Sequence, residues 1–146
     1  MSITFKLVAH GDDDYVACVK LREDILRIPL GLTFTEEEMA AENGQIHVAG
    51  IDVDGVVCAT CALVPKDGET LKMQRVAVAE GRQGQGLGGG LASFCHSFAR
   101  EKGYAQIVAH ARHTAVPFYL KHGYVTQGEP FDEQGIPHIL VVREIG

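Results

Sequence analysis

The most informative part of the chain is Gln83-Gly84-Gln85-Gly86-Leu87-Gly88, which follows the apolar stretch Val76-Ala77-Val78 and leads into an amphipathic segment. Gly89 and Gly90 continue the tract into the first turns of the helix that this segment predicts. Each glycine inside a helix costs about 1 kcal/mol relative to alanine. The tract therefore predicts a bare backbone whose N–H groups, at a helix N-terminus, bind an anion such as a phosphate. The alternative is a flexible turn followed by tight packing of the helix on a sheet.

Two common phosphate-binding motifs do not explain this tract. It lacks the Gly-Lys-Ser/Thr sequence of a Walker loop. The spacing Gly84-x-Gly86-x-x-Gly89 matches the dinucleotide-binding fingerprint, but residues 79–83 lengthen the preceding turn. The next predicted strand also ends without the acidic residue that this fingerprint requires, and too little chain follows for a doubly wound sheet. A dinucleotide-binding fragment is therefore the least favoured of three functional hypotheses.

Length, composition and charge limit the class of protein. The 146 residues correspond to a single domain, 1–146, and a hydrophobic content of 46% is typical of globular proteins. A formal net charge of −6 disfavours nucleic acid as a partner, because phosphate-backbone binding requires a basic surface. The sequence contains neither a secretion signal nor an apolar run long enough to span a membrane. We therefore expect a cytoplasmic protein without membrane contact.

The hydrophobic periodicity predicts an α/β (α+β) fold with a mixed, mostly antiparallel central sheet of about seven strands and about four helices. In the first strand, Ile3, Phe5 and Leu7 alternate with polar residues and are expected to form its buried face. Asp54-Gly55 predicts a two-residue hairpin. The other strands are predicted at about 46–53, 56–64, 70–78, 107–111, 124–131 and 136–144.

Helix boundaries are marked by capping residues and helix breakers. Residues 12–14 offer an N-cap and first-turn acids to a first helix, which Pro29 and Gly31 end. Thr35 and Glu38 form a capping-box signature that predicts a short helix over 36–42. Two further helices are predicted at about 86–102 and 116–122.

The four cysteines include a C-x-x-C pair, Cys58 and Cys61, which is compatible with a redox or zinc half-site. The pair lies in an apolar segment that is predicted to be a strand, where an odd separation directs two side chains to opposite faces. No second C-x-x-C completes a site, so buried, inert thiols are the favoured interpretation and we expect no metal.

Two segments resemble the GNAT superfamily of N-acyltransferases. The tract 83–88 fits the superfamily's acyl-CoA loop, Gln/Arg-x-x-Gly-x-Gly/Ala, and Ala115-Val116-Pro117-Phe118-Tyr119-Leu120-Lys121-His122-Gly123-Tyr124 resembles its Ala-x-x-Phe-Tyr-x-x-x-Gly-Phe segment. The strand Met73-Gln74-Arg75-Val76-Ala77-Val78 resembles the strand that leads into that loop. Gly135-Ile136-Pro137-His138 is similar to a feature of one bacterial subgroup. The chain is thereby identified as a small, stand-alone member of this superfamily.

The resemblance implies a GNAT fold and acetyl-CoA as cosubstrate. It implies that the CoA pyrophosphate is bound by backbone amides, and that the pantetheine arm pairs with the strand before the loop. It also implies that a backbone amide of this strand stabilises the tetrahedral oxyanion, and that Tyr119 protonates the leaving thiolate. Where the superfamily often has an asparagine, this chain has Arg112, which either contacts a CoA phosphate or is a solvated strand end. The cofactor-binding residues implied are Val76, Ala77, Val78, Gln83, Gly84, Gln85, Gly86, Leu87, Gly88 and Arg112.

The general base and the acceptor stay open at this stage. His110, His138 and Glu133 are candidate bases, as is a water relay, because the strand before the loop carries no central Asp or Glu. We expect a small-molecule amine to enter between about 26–34 and 131–138. A non-catalytic CoA-binding sensor or interaction module is the alternative to an enzyme. Dimers are common in the superfamily, so the resemblance allows a homodimer, while the sequence leaves the oligomeric state open.

Overall fold

The computed structural model describes residues 3–145. Its strands form one seven-stranded sheet in the order β1-β2-β3-β4-β5-β7-β6. Neighbouring strands are antiparallel except β4 and β5, which are parallel. The sheet is thus mixed and mostly antiparallel, as predicted. The strands are β1 (Thr4–Val8), β2 (Ile46–Ile51), β3 (Val57–Pro65), β4 (Thr70–Val78), β5 (Gln106–Arg112), β6 (Val125–Glu133) and β7 (Ile136–Glu144).

Four α-helices accompany the sheet within the described residues. They are α1 (Asp13–Arg22), α2 (Glu36–Ala41), α3 (Leu87–Glu101) and α4 (Val116–Lys121). The predicted capping box starts α2: the Thr35 hydroxyl accepts from the Glu38 N–H, and the Glu38 carboxylate accepts from the Thr35 N–H. The sequence did not indicate that α1 continues into a π-helical segment, Glu23–Arg27, and a 3-10 turn, Ile28–Leu30.

The helices cover both faces of the sheet and create two apolar clusters. Leu87, Leu91 and Cys95 of α3 pack with the central strands in the larger cluster. Tyr15, Cys18 and Val19 of α1 pack against the opposite face in the smaller cluster. The predicted buried side of α3 is therefore correct, with Phe94 and Phe98 at its partly buried margin.

One prediction for the core was wrong. Leu7 is 49% exposed, whereas its neighbour Val8 is buried. Alternation correctly placed Phe5 on a covered face: it is partly buried, and its ring lies against Gly90 of α3. At the end of this edge strand, the buried side chain lies on the opposite face of the sheet. It is that of Val8, which packs with α1 residues in the smaller cluster.

All four cysteines are buried, free thiols. Cys61 Sγ lies 3.5 Å from Cys95 Sγ of α3, and Cys58 Sγ donates to the Gly50 carbonyl at 3.4 Å. Within residues 3–145, no group of three or more His, Cys, Asp and Glu side chains is arranged to hold a metal ion. No helix in the same range is long and apolar enough to cross a membrane.

The feature that positions the site is the short parallel pairing of β4 with β5. It runs only from Thr70 opposite Gln106 to Met73 opposite Ala109. Beyond that point β4 remains paired with β3, while β5 remains paired with β7. The two strands therefore diverge, and the rest of β4 presents an unpaired edge.

Candidate active site

A cleft of about 830 Å³ lies where β4 and β5 diverge. It is bordered by the end of the π-helical segment, β4, β5, α4 and the β6–β7 hairpin. Of the residues singled out from the sequence, it brings together Val76, Ala77, Val78, Gln83, Gly88, His110, Arg112, Tyr119, Glu133 and His138. Ile25, Leu26 and Arg27 line it opposite the hairpin, so the cleft opens between the two regions expected to admit the acceptor.

The unpaired edge of β4 presents alternate backbone groups to the cleft. The Ala79 N–H donates to the Cys58 carbonyl of β3 at 2.8 Å, and Ala77 faces Thr60 of β3 in the same register. Because backbone groups alternate in direction along a strand, those of Val76 and Val78 point away from β3. Ala77 differs from its neighbours, since its backbone is directed toward β3.

β4 contains a bulge next to this edge. The register with β3 shifts between Ala62 opposite Gln74 and Thr60 opposite Ala77, and Arg75 has a φ of 53°. A positive φ is uncommon for a non-glycine residue and persists only where surrounding contacts hold it. The bulge sets the direction of the Val76 backbone at the point where the two strands separate.

The loop before α3 explains the glycine tract in two ways. Gly86 is the N-cap of α3 with a φ of 78°, in the left-handed region that favours glycine. A Cβ added at Gly88 would lie 2.9 Å from the Phe118 ring, and one added at Gly90 would lie 2.5 Å from the Phe5 ring. The early glycines thus shape a backbone turn, whereas the later ones allow aromatic rings to approach the helix. Gly90 is thus explained by tight packing of the helix on the sheet, which was the alternative to anion binding for this tract.

Two side-chain contacts anchor this loop. Arg82 Nη2 lies 2.6 Å from Oδ2 of the buried Asp52, which belongs to the turn between β2 and β3. Hydrogen bonds from the Val56 and Asp54 N–H groups and the interaction with Arg82 lower the pKa of Asp52 despite its burial. The Gln83 amide donates to the Val78 carbonyl at 3.2 Å. Gln85 is exposed and does not line the main cleft, and Leu87 is buried in the core with only its backbone available.

A second cavity of about 350 Å³ adjoins the first at the start of α3. Gly84, Gly86 and Gly88 line it together with two residues that were not predicted, Lys121 and His122 at the end of α4. Both lie within the segment 115–124 that identified Tyr119, but at its variable positions, and no sequence signal indicated that α4 ends next to the loop.

Tyr119 is 6% exposed and packs in the larger core cluster, with its ring 5.1 Å from that of Tyr124. It nevertheless contributes to the wall of the main cleft. Burial, reinforced by the neighbouring Cys61 and Cys95 thiols, raises its pKa well above the ordinary value, so the hydroxyl keeps its proton at neutral pH.

All three candidate bases come together on the face of the sheet opposite α3. His110 Nδ1 lies 2.9 Å from Glu133 Oε1, and His138 Nε2 lies 3.5 Å from Glu133 Oε2. Burial opposes ionisation of Glu133, but the hydrogen bond and charge of His110 outweigh it and lower the pKa of this carboxyl. His138 Nδ1 is 2.7 Å from the Ile136 carbonyl, to which it donates.

A buried ion-pair network, which the sequence did not indicate, supports the bulge of β4. The Glu42 carboxylate lies 3.2 Å from Arg22 Nη1 and 2.8 Å from Arg75 Nε, and it accepts from the Tyr15 hydroxyl at 2.8 Å. Arg22, which is fully buried, also donates to the Thr60 hydroxyl and the Cys61 carbonyl. The sequence offered one weak signal, the charged residue Arg75 directly before the apolar end of this strand, Val76-Ala77-Val78.

Arg112 lies at the end of β5, opposite His138 of β7, and lines the cleft. Its position leaves both sequence-based interpretations, a phosphate contact and a solvated strand end, as predictions.

We expect Glu42→Gln to reduce the free energy of unfolding by about 3 kcal/mol, because it leaves two partly or fully buried guanidinium groups without a counter-charge. Equilibrium urea unfolding measures this loss. Glu129→Gln, at an exposed position in β6, is the matched control and should change stability by no more than about 0.5 kcal/mol. Equal stability of the Glu42 and Glu129 variants would show that the network does not support the fold.

Comparisons with known proteins agree with this architecture. A family model described as an acetyltransferase (GNAT) domain matches residues 32–143. The uncharacterized N-acetyltransferase YjcF of Bacillus subtilis is 27% identical over 139 residues, which cover 94% of this chain and 98% of that protein. The uncharacterized protein YyaT of the same organism is 35% identical over 78 residues, so this match spans only 53% of either chain.

Solved structures show the same fold. An acyl-CoA N-acyltransferase from Pseudomonas aeruginosa has a TM-score of 0.83 at 22% identity and covers 97% of this chain and 99% of its own. A GNAT family acetyltransferase from Elizabethkingia anophelis, with acetyl-CoA bound, has a TM-score of 0.74 at 23% identity and covers 97% of both chains. With the family model matching well over half of its length, the chain belongs to the GNAT acetyltransferase family.

Proposed function

We propose that the protein transfers the acetyl group of acetyl-CoA to a primary amine by direct attack. The observation that carries this proposal is the unpaired edge of β4, which runs within one cleft from the glycine loop toward His110 and Glu133. An extended arm paired along this edge would bring its reactive end to the titratable groups. The acetyl-CoA bound to the Elizabethkingia relative supports the choice of cosubstrate.

The residues present fit a CoA thioester. Backbone N–H groups at the start of α3, between Gln83 and Gly88, would bind the pyrophosphate with the help of the helix dipole. The Val76 and Val78 backbones would form hydrogen bonds with the pantetheine arm. Ala77 would make only surface contacts with the arm, because its backbone is directed toward β3. When bound, the thioester supplies an activated acetyl group. The N–H group at the bulge stabilises the negative charge that develops on its carbonyl oxygen.

His110 is the general base that the geometry favours among the three candidates. Its Nδ1–H donates to the ionised Glu133, which leaves Nε2 with a lone pair to accept the proton of the amine. His138 is less suited, because its Nδ1 is bonded to a backbone carbonyl and its Nε2 faces the same carboxylate. Glu133 thus orients the imidazole ring of His110.

Tyr119 is the proposed general acid. As the amine nitrogen bonds to the carbonyl carbon, the carbon–sulfur bond breaks and the thiolate takes the Tyr119 proton. The amine arrives as an ammonium ion, and His110 takes its first proton and passes it to solvent before the attack. His110 then takes the second proton from the nitrogen of the tetrahedral intermediate, and this proton returns through solvent to the Tyr119 phenolate, so charge and protons balance. Tyr119 lies in the wall of the cleft and carries its proton at neutral pH, as a general acid must, although the burial that raises its pKa also makes it a weaker acid toward the thiolate. The cytoplasmic location and the single domain expected from the sequence, and the homodimer that the resemblance allows, stay predictions.

We expect acetyl-CoA to bind and amines to trigger the release of free thiol. Gly88→Val should abolish binding in calorimetry, because a side chain at this position meets the Phe118 ring and fills the mouth of the cleft. Gly68→Val, in an open turn with no atom near the added side chain, is the control. Binding without amine-dependent thiol release would favour a non-catalytic CoA-binding module, and no binding at millimolar acetyl-CoA would refute both.

Tyr119→Phe should lower kcat at least about tenfold while leaving the Kd for acetyl-CoA nearly unchanged, since it removes only the transferred proton. Steady-state thiol release and calorimetry measure the two quantities. Tyr124→Phe removes the hydroxyl of the adjacent ring, which is bonded to His96, and should retain turnover. Normal turnover in the Tyr119 variant would eliminate it as the acid.

His110→Gln should lower kcat/KM by about 100-fold at neutral pH, and Glu133→Gln by a smaller factor, because Glu133 acts through His110. At high pH, where the amine is already unprotonated, the activity of the His110 variant should recover in part. A pH profile of kcat/KM tests this expectation. Exposed His113 provides the control variant His113→Gln. A pH-independent loss would argue that His110 has only a structural role.

A further inference from the structure

The acceptor end of the cleft carries more positive charge than the reaction requires. Among the described residues that line the cleft, Arg27, Lys72, Arg75 and Arg112 are basic, and Glu133 is the sole acid. This surplus contrasts with the formal net charge of −6 of the whole chain. A primary amine approaches as an ammonium ion, which such a lining repels. Arg27 and Arg75 are paired with Glu38 and Glu42, which lie outside the lining, so the charge left for a partner other than the amine is mainly that of Lys72 and Arg112.

Lys72 is remote from the pyrophosphate-binding loop. Lys72 lies in the part of β4 that is still paired with β5, opposite Val108, whereas the loop follows the far end of β4. Six residues of extended strand separate Lys72 from Val78, a distance of roughly 20 Å at the usual rise per residue. The phosphates of CoA thus do not account for Lys72.

Three side chains of β4 turn toward the same side of the sheet. Lys72 and Gln74 share a face by alternation, and the Gln74 amide donates to Gln45 at the start of β2. The bulge brings Arg75 to this side as well, where it contacts Glu42. Two guanidinium groups pack on the ring of Phe34: the Cζ atom of Arg27 lies 4.2 Å from the ring centroid and that of Arg75 lies 4.7 Å from it. The guanidinium groups are therefore held in place before any ligand arrives.

Lys72 differs from these arginines in having no counter-ion. Arg27 is paired with Glu38 and Arg75 with Glu42, but within residues 3–145 no carboxylate forms an ion pair with the Lys72 ammonium. Burial lowers the pKa of Lys72, even though Glu133 acts in the opposite direction. An anion bound beside the ammonium would offset this effect of burial.

We propose that the acceptor is an amine that also carries an oxyanion group, a carboxylate or a phosphate, bound by Lys72 and the exposed part of Arg75. The inference rests on the proposed acetyl transfer and specifies its substrate class. The amino group lies at His110 and Glu133, and the oxyanion lies one to two strand residues away along β4. The planar guanidinium group of Arg75 can donate hydrogen bonds to either oxyanion, and the compact ammonium group of Lys72 attracts it by charge.

Matched acceptor pairs test this proposal. L-amino acids are compared with their carboxamides, and O-phosphoethanolamine with ethanolamine, by acetyl-CoA-dependent thiol release. We expect one class of anionic acceptor to exceed its neutral partner at least about tenfold in kcat/KM. Preference for the amino acids identifies a carboxylate, and preference for phosphoethanolamine identifies a phosphate. Equal or better use of the neutral partners would overturn the proposal.

Variants of Lys72 separate charge recognition from folding. Lys72→Met should reduce kcat/KM at least about tenfold for the anionic acceptor and less than about threefold for its neutral partner. Lys72→Arg should restore most of the loss. Lys102→Met, at an exposed position at the end of α3, removes the same charge outside the cleft and should leave both values unchanged. An equal loss on both acceptors would refute recognition by Lys72.

Calorimetry of the CoA-loaded protein distinguishes this inference from the proposed function. Binding of an anionic acceptor that weakens in Lys72→Met, without any acetyl transfer, would support the site while the catalytic proposal fails. Acetyl transfer to neutral amines with no effect of Lys72 would support catalysis while this inference fails. Absence of both Lys72-dependent binding and turnover would overturn both.

Discussion

The parallel pairing of β4 with β5 ends at Met73 and Ala109, and the candidate site exists because the two strands then separate. Separation leaves the Val76 and Val78 backbones without a β5 partner at the wall of a cleft of about 830 Å³, where the Val78 carbonyl accepts from the Gln83 side chain. Unpaired backbone groups are costly unless water or a ligand satisfies them. A sheet opened in this way is therefore suited to an extended molecule that adds backbone-like hydrogen bonds.

The separation depends on contacts that lie beneath the cleft. Arg75 adopts a positive φ at the bulge, and Glu42 holds its guanidinium while also binding the fully buried Arg22. Buried ion pairs contribute little net stability, yet removing one partner is expensive. The network thus acts mainly to fix one geometry: it ties α1 and the end of α2 to the strand that carries the catalytic edge.

Much of the fold was predictable, because local signals agreed with the final arrangement. The boundaries of β4 and β7 match the predicted ranges, and the Thr35–Glu38 capping box forms. Leu7 was wrong because burial at the end of an edge strand depends on which face a helix covers. The glycine tract was located correctly, but Gly90 is explained by the Phe5 ring, a contact between residues 85 positions apart in the chain.

Periodicity, capping and motif spacing are local properties of the chain, and they were enough to establish the family, the order of the elements and the residue types available to a site. Which of those residues meet depends on the folded chain. His110, Glu133 and His138 come from β5 and a hairpin formed later in the chain, and they converge only through the pairing of β5 with β7. The contact between Glu42 and Arg75 and the clustering of basic side chains around Lys72 also depend on the folded chain. Strand register and the bulge set the distances between these groups.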